Sequence, residues 1–180
     1  MIGHDIVAAP MFVNQVVLLA DGNILCERLA ELDDDCLALL RHVIPAVTLP
    51  ARPLDVDHLL CPTMSLAHVA PQAKSLGFWW TLAVSNRDDQ PVTRRVLLSA
   101  STRSSRLAVF EFATQHFVRV HSPGDSVALR IPAYGTRVLR IIEWDGQSAV
   151  LLGTDQHLSG GAAEFEGFEI MPPSICGFVC

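Results

Sequence analysis

The chain has 180 residues, half of them hydrophobic and 18% charged, with a formal net charge of −6 at pH 7. That mixture supports one sizeable core and excludes a disordered chain. The acidic balance and the scatter of Arg94, Arg95, Arg103, Arg106, Arg119, Arg130, Arg137 and Arg140 leave no basic stripe, so nucleic acid is excluded as a partner. Several of these arginines alternate with apolar residues, which predicts the wet face of strands.

From the N-terminus, Ile6–Ala20 is the most hydrophobic stretch. It runs for about 15 residues, short of the ~20 that a membrane span needs, and it contains Pro10, Asn14 and Gln15. Ile6–Val13 reads as a short helix and Val16–Ala20 as a buried strand, closed by the turn Asp21-Gly22-Asn23. Asp33 then caps a helix, with Asp34 and Asp35 at its positive end. Arg41 and His42 occupy its last turn, and Pro45 stops it. Between Pro45 and Pro71 five prolines predict an irregular connection, with Arg52-Pro53-Leu54-Asp55 extended. A boundary is expected near residues 70–75, giving a helical segment and proline-rich connection at 1–72 and a β-sandwich domain at 73–180.

From Phe78 the period becomes two. Strands are predicted from Phe78 to Val84 and over Thr93–Ser99, Leu107–Thr114, Phe117–His121, Ser126–Ile131, Thr136–Trp144 and Ala149–Gly153. Short strands at regular spacing, with Gly, Pro, Asn and Asp between them, predict an antiparallel β-sandwich. Its core is expected to include Leu82, Val84, Phe110, Phe112, Val127, Leu129, Val138 and Ile141.

The chemistry-bearing residues are few. Cys26, Cys36, Cys61, Cys176 and Cys180 are odd in number and form no CxxC pair, and no signal peptide opens the sequence. A reduced, cytoplasmic setting is the expectation. Cys176 and Cys180 lack companion ligands, so neither a metal nor a cofactor is expected. No GxSxG elbow, GxGxxG loop or P-loop occurs. Asp155 and His157 lie two apart on a predicted hairpin and share a face, which suggests an ion pair or half of a metal site. Trp79 and Trp80 are adjacent on one strand and face opposite ways. One belongs to the core, and the other is a candidate sugar-stacking platform, as is Trp144 beside Asp145-Gly146.

Five stretches carry a resemblance. They are the run Val16-Val17-Leu18-Leu19 with its turn, the helix start Asp33-Asp34-Asp35 running on to Leu39-Leu40-Arg41, and Leu82-Ala83-Val84-Ser85-Asn86 with its polar turn. The others are Pro132-Ala133-Tyr134-Gly135 leading into Thr136–Ile141, and Gly153-Thr154-Asp155-Gln156-His157-Leu158-Ser159. Over roughly residues 10–165 this order resembles the C-terminal region of melibiase-like α-galactosidases and related glycoside hydrolases, where a (β/α)8 barrel closes and a β-sandwich follows.

The resemblance implies that Asp21 sits at a barrel mouth. It also implies that the paired catalytic carboxylates, about 5–5.5 Å apart in retaining enzymes, belong to strands upstream of Val16–Asn23. No catalytic residue is therefore expected here. The expectation is a non-catalytic C-terminal piece of a longer enzyme that supports a catalytic barrel, or that self-associates through its N-terminal apolar segment. The alternative is a free-standing carbohydrate-binding β-sandwich module; a weaker third reading is a small enzyme using Asp155 and His157.

Overall fold

The computed structural model describes residues 51–54, 63–71, 74–98 and 106–165, together with Asp34, Ala38, Arg41, His42 and Phe168. The expected strand Val16–Ala20, the turn bearing Asp21, and most of the segment resembling a barrel end lie outside the described residues. Asp34, Ala38 and Arg41 are helical and His42 lies in a turn, in line with the helix expected after Asp33. The three helical positions share one exposed face.

Among the described residues, eight antiparallel strands form two sheets. They are β1 (Ala51–Pro53), β2 (Met64–Val69), β3 (Trp79–Ser85), β4 (Val92–Leu97), β5 (Leu107–Glu111), β6 (His116–His121), β7 (Ser126–Ile131) and β8 (Thr136–Glu143). One sheet has the order β1-β2-β3-β8-β5-β6, and the other is the pair β4-β7. The predicted antiparallel sandwich is therefore present. β1 pairs with β2 and β2 with β3 in the larger sheet, so the sheet takes in residues on both sides of the expected 70–75 boundary.

β7 shows why the two sheets stack. Val127, Leu129 and Ile131 are buried and alternate with exposed Ser126, Ala128 and Arg130. They meet Leu82, Val84, Leu107, Val109, Leu139 and Ile141 of the larger sheet, with Val96 and Leu98 beside them. Each such side chain contributes about 1.5–3 kcal/mol on leaving water. This inner core ends at half-buried Met64, Leu66, Trp80, Val92 and Val118.

The larger sheet is covered on its outer face too. Ala67, Val69, Trp79, Ala83, Ala108, Val138 and Ile142 pack there with Leu158, flanked by Phe112, Trp144, Leu152 and Ala162. The covering layer is the segment after β8, where Ala149–Gly153 runs as coil and not as the predicted strand. Its half-buried side chains lie across the outer core without joining a ladder. Phe112 is half-buried and belongs to this outer face, not to the inner core with Leu82 and Val84. Phe110, which follows a register shift after Val109, is buried against Gly153 of the covering layer.

Two turns hold this arrangement. Asn86 is fully buried; its amide donates to the Gln90 carbonyl (2.7 Å) and the Pro132 carbonyl (2.9 Å), and its Oδ1 accepts from the Asp88 N–H (3.1 Å). It ties the β3–β4 turn to the β7–β8 turn. Glu111 is buried and accepts from the Ala113 and Thr114 N–H groups, with Arg137 3.6 Å away.

Candidate functional site

The described carboxylates with the richest surroundings are occupied by their own chain. Glu111 closes the turn after β5. Glu164 accepts from the Thr154 hydroxyl and from the Gly161 (3.0 Å) and Ala163 (3.2 Å) N–H groups, with the Ser159 hydroxyl 3.3 Å away. Asp145 accepts from the Gln147 and Ser148 N–H groups and the Ser148 hydroxyl. The Ser148 hydroxyl and these backbone donors hold its pKa down at about 2, so it stays ionised.

The Gly153–Ser159 motif folds into a buried polar anchor. His157 Nδ1 accepts the Ser159 N–H (3.0 Å) and lies 2.9 Å from the Ser159 hydroxyl. That hydroxyl in turn faces Glu164 and accepts the Ala163 N–H (3.1 Å). With Nδ1 accepting, the proton sits on Nε2, which is buried and has no hydrogen-bond partner among the described residues. A nucleophile triad needs its acid on the far nitrogen of the histidine and an open serine. Here Glu164 faces the serine, and Ser159 is completely buried. The chemistry is that of a clamp. Asp155 is exposed while His157 is buried, so the two do not act as a pair. No group of three or more His, Cys, Asp or Glu side chains able to hold a metal occurs among the described residues.

Arg140 joins the clamp. It is buried, contrary to the wet face expected of it, and donates to the Gly160 carbonyl. Gly160 has φ +67°, and a Cβ there would come within 3.1 Å of the guanidinium. Burial lowers the Arg140 pKa to about 9, opposed by the charge of Glu164, so the guanidinium stays charged near neutrality. Its carbon lies 3.6 Å from the centre of the Trp79 ring.

That contact decides the fate of one sequence candidate. Trp79 is completely buried, with Arg140 on its ring, and offers no open face to a sugar. Trp80 points the other way and is half-buried at the margin of the inner core. It meets Phe78 (ring centres 5.5 Å) and His68 (5.8 Å), and those two meet each other (5.1 Å). Phe78 is 45% exposed. Trp144 is half-buried, donates to the Ser148 carbonyl (2.7 Å) and lines an open groove of about 290 Å³ with Glu143, Asp145, Ser148 and Val150. Asp21, the barrel-mouth candidate, lies outside the described residues.

Sequence reasoning passed over Phe78, His68 and Glu143. Phe78 was within reach, since it stands two residues before Trp80 and so shares its face. His68 is brought in by register alone, opposite Trp80.

With this geometry in place, likeness to known proteins can be stated. No family model matches the sequence, and no curated protein matches it. Among solved structures, α-galactosidase I from Mortierella vinacea matches at TM-score 0.52 and 14% identity, over 78% of this chain and 37% of that one. A putative α-N-acetylgalactosaminidase from Bacillus halodurans C-125 matches at TM-score 0.45 and 14% identity, over 65% of this chain and 27% of that one. The chain spans well under half the length of either. The likeness is one of fold.

Proposed function

We propose that this chain is a non-catalytic β-sandwich domain of an α-galactosidase-like glycoside hydrolase, and that its work is to support a catalytic (β/α)8 barrel. The observation that carries this is the fold shared with a 37% portion of α-galactosidase I, over 78% of this chain. The occupied carboxylates support it, since Glu111 and Glu164 serve turns and a clamp. So does the seat of the preceding helical segment. The Leu158 N–H donates to the His42 carbonyl (2.8 Å), His42 Nδ1 lies 3.1 Å from the Gln156 carbonyl, and the His42 ring meets Phe112 edge-on at 5.4 Å. The barrel, or a second copy of the chain, would engage through the apolar segment around Leu18, Leu19, Leu39 and Leu40.

The test has two arms. The full chain with an aryl α-galactoside is expected to show only the buffer rate of hydrolysis. Added to an α-galactosidase barrel stripped of its own sandwich, it is expected to raise the melting temperature of that barrel. Turnover abolished by a substitution in this chain would overturn the non-catalytic reading, and an unchanged barrel would overturn the supporting role.

A further inference from the structure

The two faces of β2 are covered unequally. On the outer side β2 buries Ser65, Ala67 and Val69, while on the inner side Met64 and Leu66 are half-buried and His68 is exposed. Trp80, opposite His68 on β3, is half-buried as well. The smaller sheet stops short of this inner face, and β4 is the strand that borders it. Arg94 of β4 donates to the hydroxyl of Thr63, the residue before β2 (3.3 Å). β4 pairs with β7 along one edge, and no described strand pairs with it along the other. The Leu98 N–H donates to the Asp125 carbonyl (2.8 Å), and the Leu98 carbonyl accepts from the Gly124 N–H (3.0 Å), so both main-chain groups of Leu98 face the β7 side. Such groups change sides at each residue of a strand, so Val92, Arg94 and Val96 turn theirs to β7 too. Thr93, Arg95 and Leu97 turn theirs to the open edge. The side chains of these three residues are exposed.

We propose that the open edge of β4 accepts a third strand from a partner: an extended segment that carries carboxylates and lays apolar side chains over Met64, Leu66 and Trp80. This binding function is separate from the supporting role above. Main-chain bonds to Thr93, Arg95 and Leu97 give the affinity, as in other sheet edges that take up extended peptides. Arg94 and Arg95 set the charge. No ion pair engages either among the described residues, and Nε of Arg94 is buried without a hydrogen-bond partner there. Arg94 lies on the inner side of β4 with Val92 and Val96, and Arg95 on the outer side. A carboxylate on each side of the added strand answers both guanidinium groups. A second copy pairing β4 with β4 would instead set arginines against arginines, which like-charge opposition disfavours. A folded partner needs about 1,600 Å² for a stable interface, more than one strand edge and one half-covered face offer, so an extended segment fits better.

The experiment titrates the full chain with the heptapeptide Glu-Val-Glu-Glu-Glu-Val-Glu, blocked at both ends. Its even positions set valine, glutamate and valine on the inner side, and its odd positions set glutamate on the outer side. Calorimetry reads the affinity, and hydrogen exchange reads the backbone amides. The peptide is expected to bind with Kd near ~0.1 mM and to slow exchange at Thr93, Arg95 and Leu97. The same peptide with lysine for glutamate should not bind. Arg95→Glu alters an exposed side chain and should melt like the parent. It should weaken the acidic peptide about tenfold and admit the lysine one. Peptides N-methylated at their odd or at their even residues separate strand addition from charge attraction. An added strand turns alternate N–H groups to its neighbour, so one form should bind like the parent peptide and the other should not. No binding up to ~2 mM, equal behaviour of the two methylated forms, or an affinity indifferent to Arg95→Glu would overturn the proposal. So would protection of the Thr93, Arg95 and Leu97 amides in the free chain, since the edge would then be filled by the protein's own residues or by a second copy. The barrel assay reads the supporting role separately, so either proposal can fail alone.

Discussion

The contact between Gly153 and Phe110 offers the sharpest test of the outer layer. A Cβ built on Gly153 would lie 2.4 Å from Phe110 Cε1 and 2.5 Å from Cδ1. Ordinary carbon–carbon contact is about 3.5–4.0 Å, so the ring would have to retreat by ~1 Å. Phe110 is buried, its ring is rigid, and overpacking of this kind costs about 1–3 kcal/mol. Gly153→Ala is therefore expected to lose ~2 kcal/mol. Phe110→Ala empties the same space and should lose about 3 kcal/mol, the low end for a core Phe because the ring is 9% exposed.

In the double variant the new methyl enters the space the ring has left. Gly153 does not hold a left-handed backbone, so alanine there is unstrained and can even add ~0.5 kcal/mol through the unfolded state. The two losses should then fail to add, with a coupling of ~2 kcal/mol. Urea unfolding of the four proteins, followed by far-UV circular dichroism, measures each difference. Additivity to within ~0.5 kcal/mol would mean that the ring does not lie over Gly153, and the account of the outer layer would fail.

Two further expectations follow from buried polar groups. Asn86→Ala and Asn86→Asp should destabilise alike, by ~2–4 kcal/mol, because both remove the amide donors that hold the Gln90 and Pro132 carbonyls; an Asp variant as stable as the parent in urea would show that those donors are not what matters. His121 is buried; burial foremost and then Arg119 lower its pKa below 6.5, with Asp125 opposing them 3.7 Å away. The unfolded chain then binds the proton first, so stability should fall as pH drops below 6.5 towards the folded-state pKa, at up to ~1.4 kcal/mol per pH unit. His121→Leu should remove that part of the slope, and urea midpoints running parallel for the two proteins between pH 7.5 and 5 would refute the assignment.

The strands were legible where only one face is buried. SVALRI alternates strictly, and β7 runs from Ser126 to Ile131 as expected. β3 and β5 are buried almost throughout, because both faces of the larger sheet are covered. In such strands period two loses its contrast, which is why one core was expected for Leu82, Val84, Phe110 and Phe112 where the structure builds two. β2 was missed because Pro62 and Pro71 drew the whole stretch into an irregular connection, although they flank Met64–Val69 and do not interrupt it. In the cluster of Phe78, Trp80 and His68, Trp80 could be read from alternation alone. His68 depends on strand register, which lies in contacts distant along the chain.

The two faces of the larger sheet lend themselves to separate tasks. On the outer face the covering layer has no ladder to hold it. It depends on apolar contact, on the Arg140–Gly160 bond, and on the Ser159–Glu164 contacts. Burying a guanidinium costs more than burying a leucine unless its charge finds a partner, and here the Trp79 ring, the Gly160 carbonyl and the charge of Glu164 together serve. His42 joins the same layer through Leu158 and Gln156. The Phe78–Trp80 patch opens on the opposite face, at the margin of the inner core.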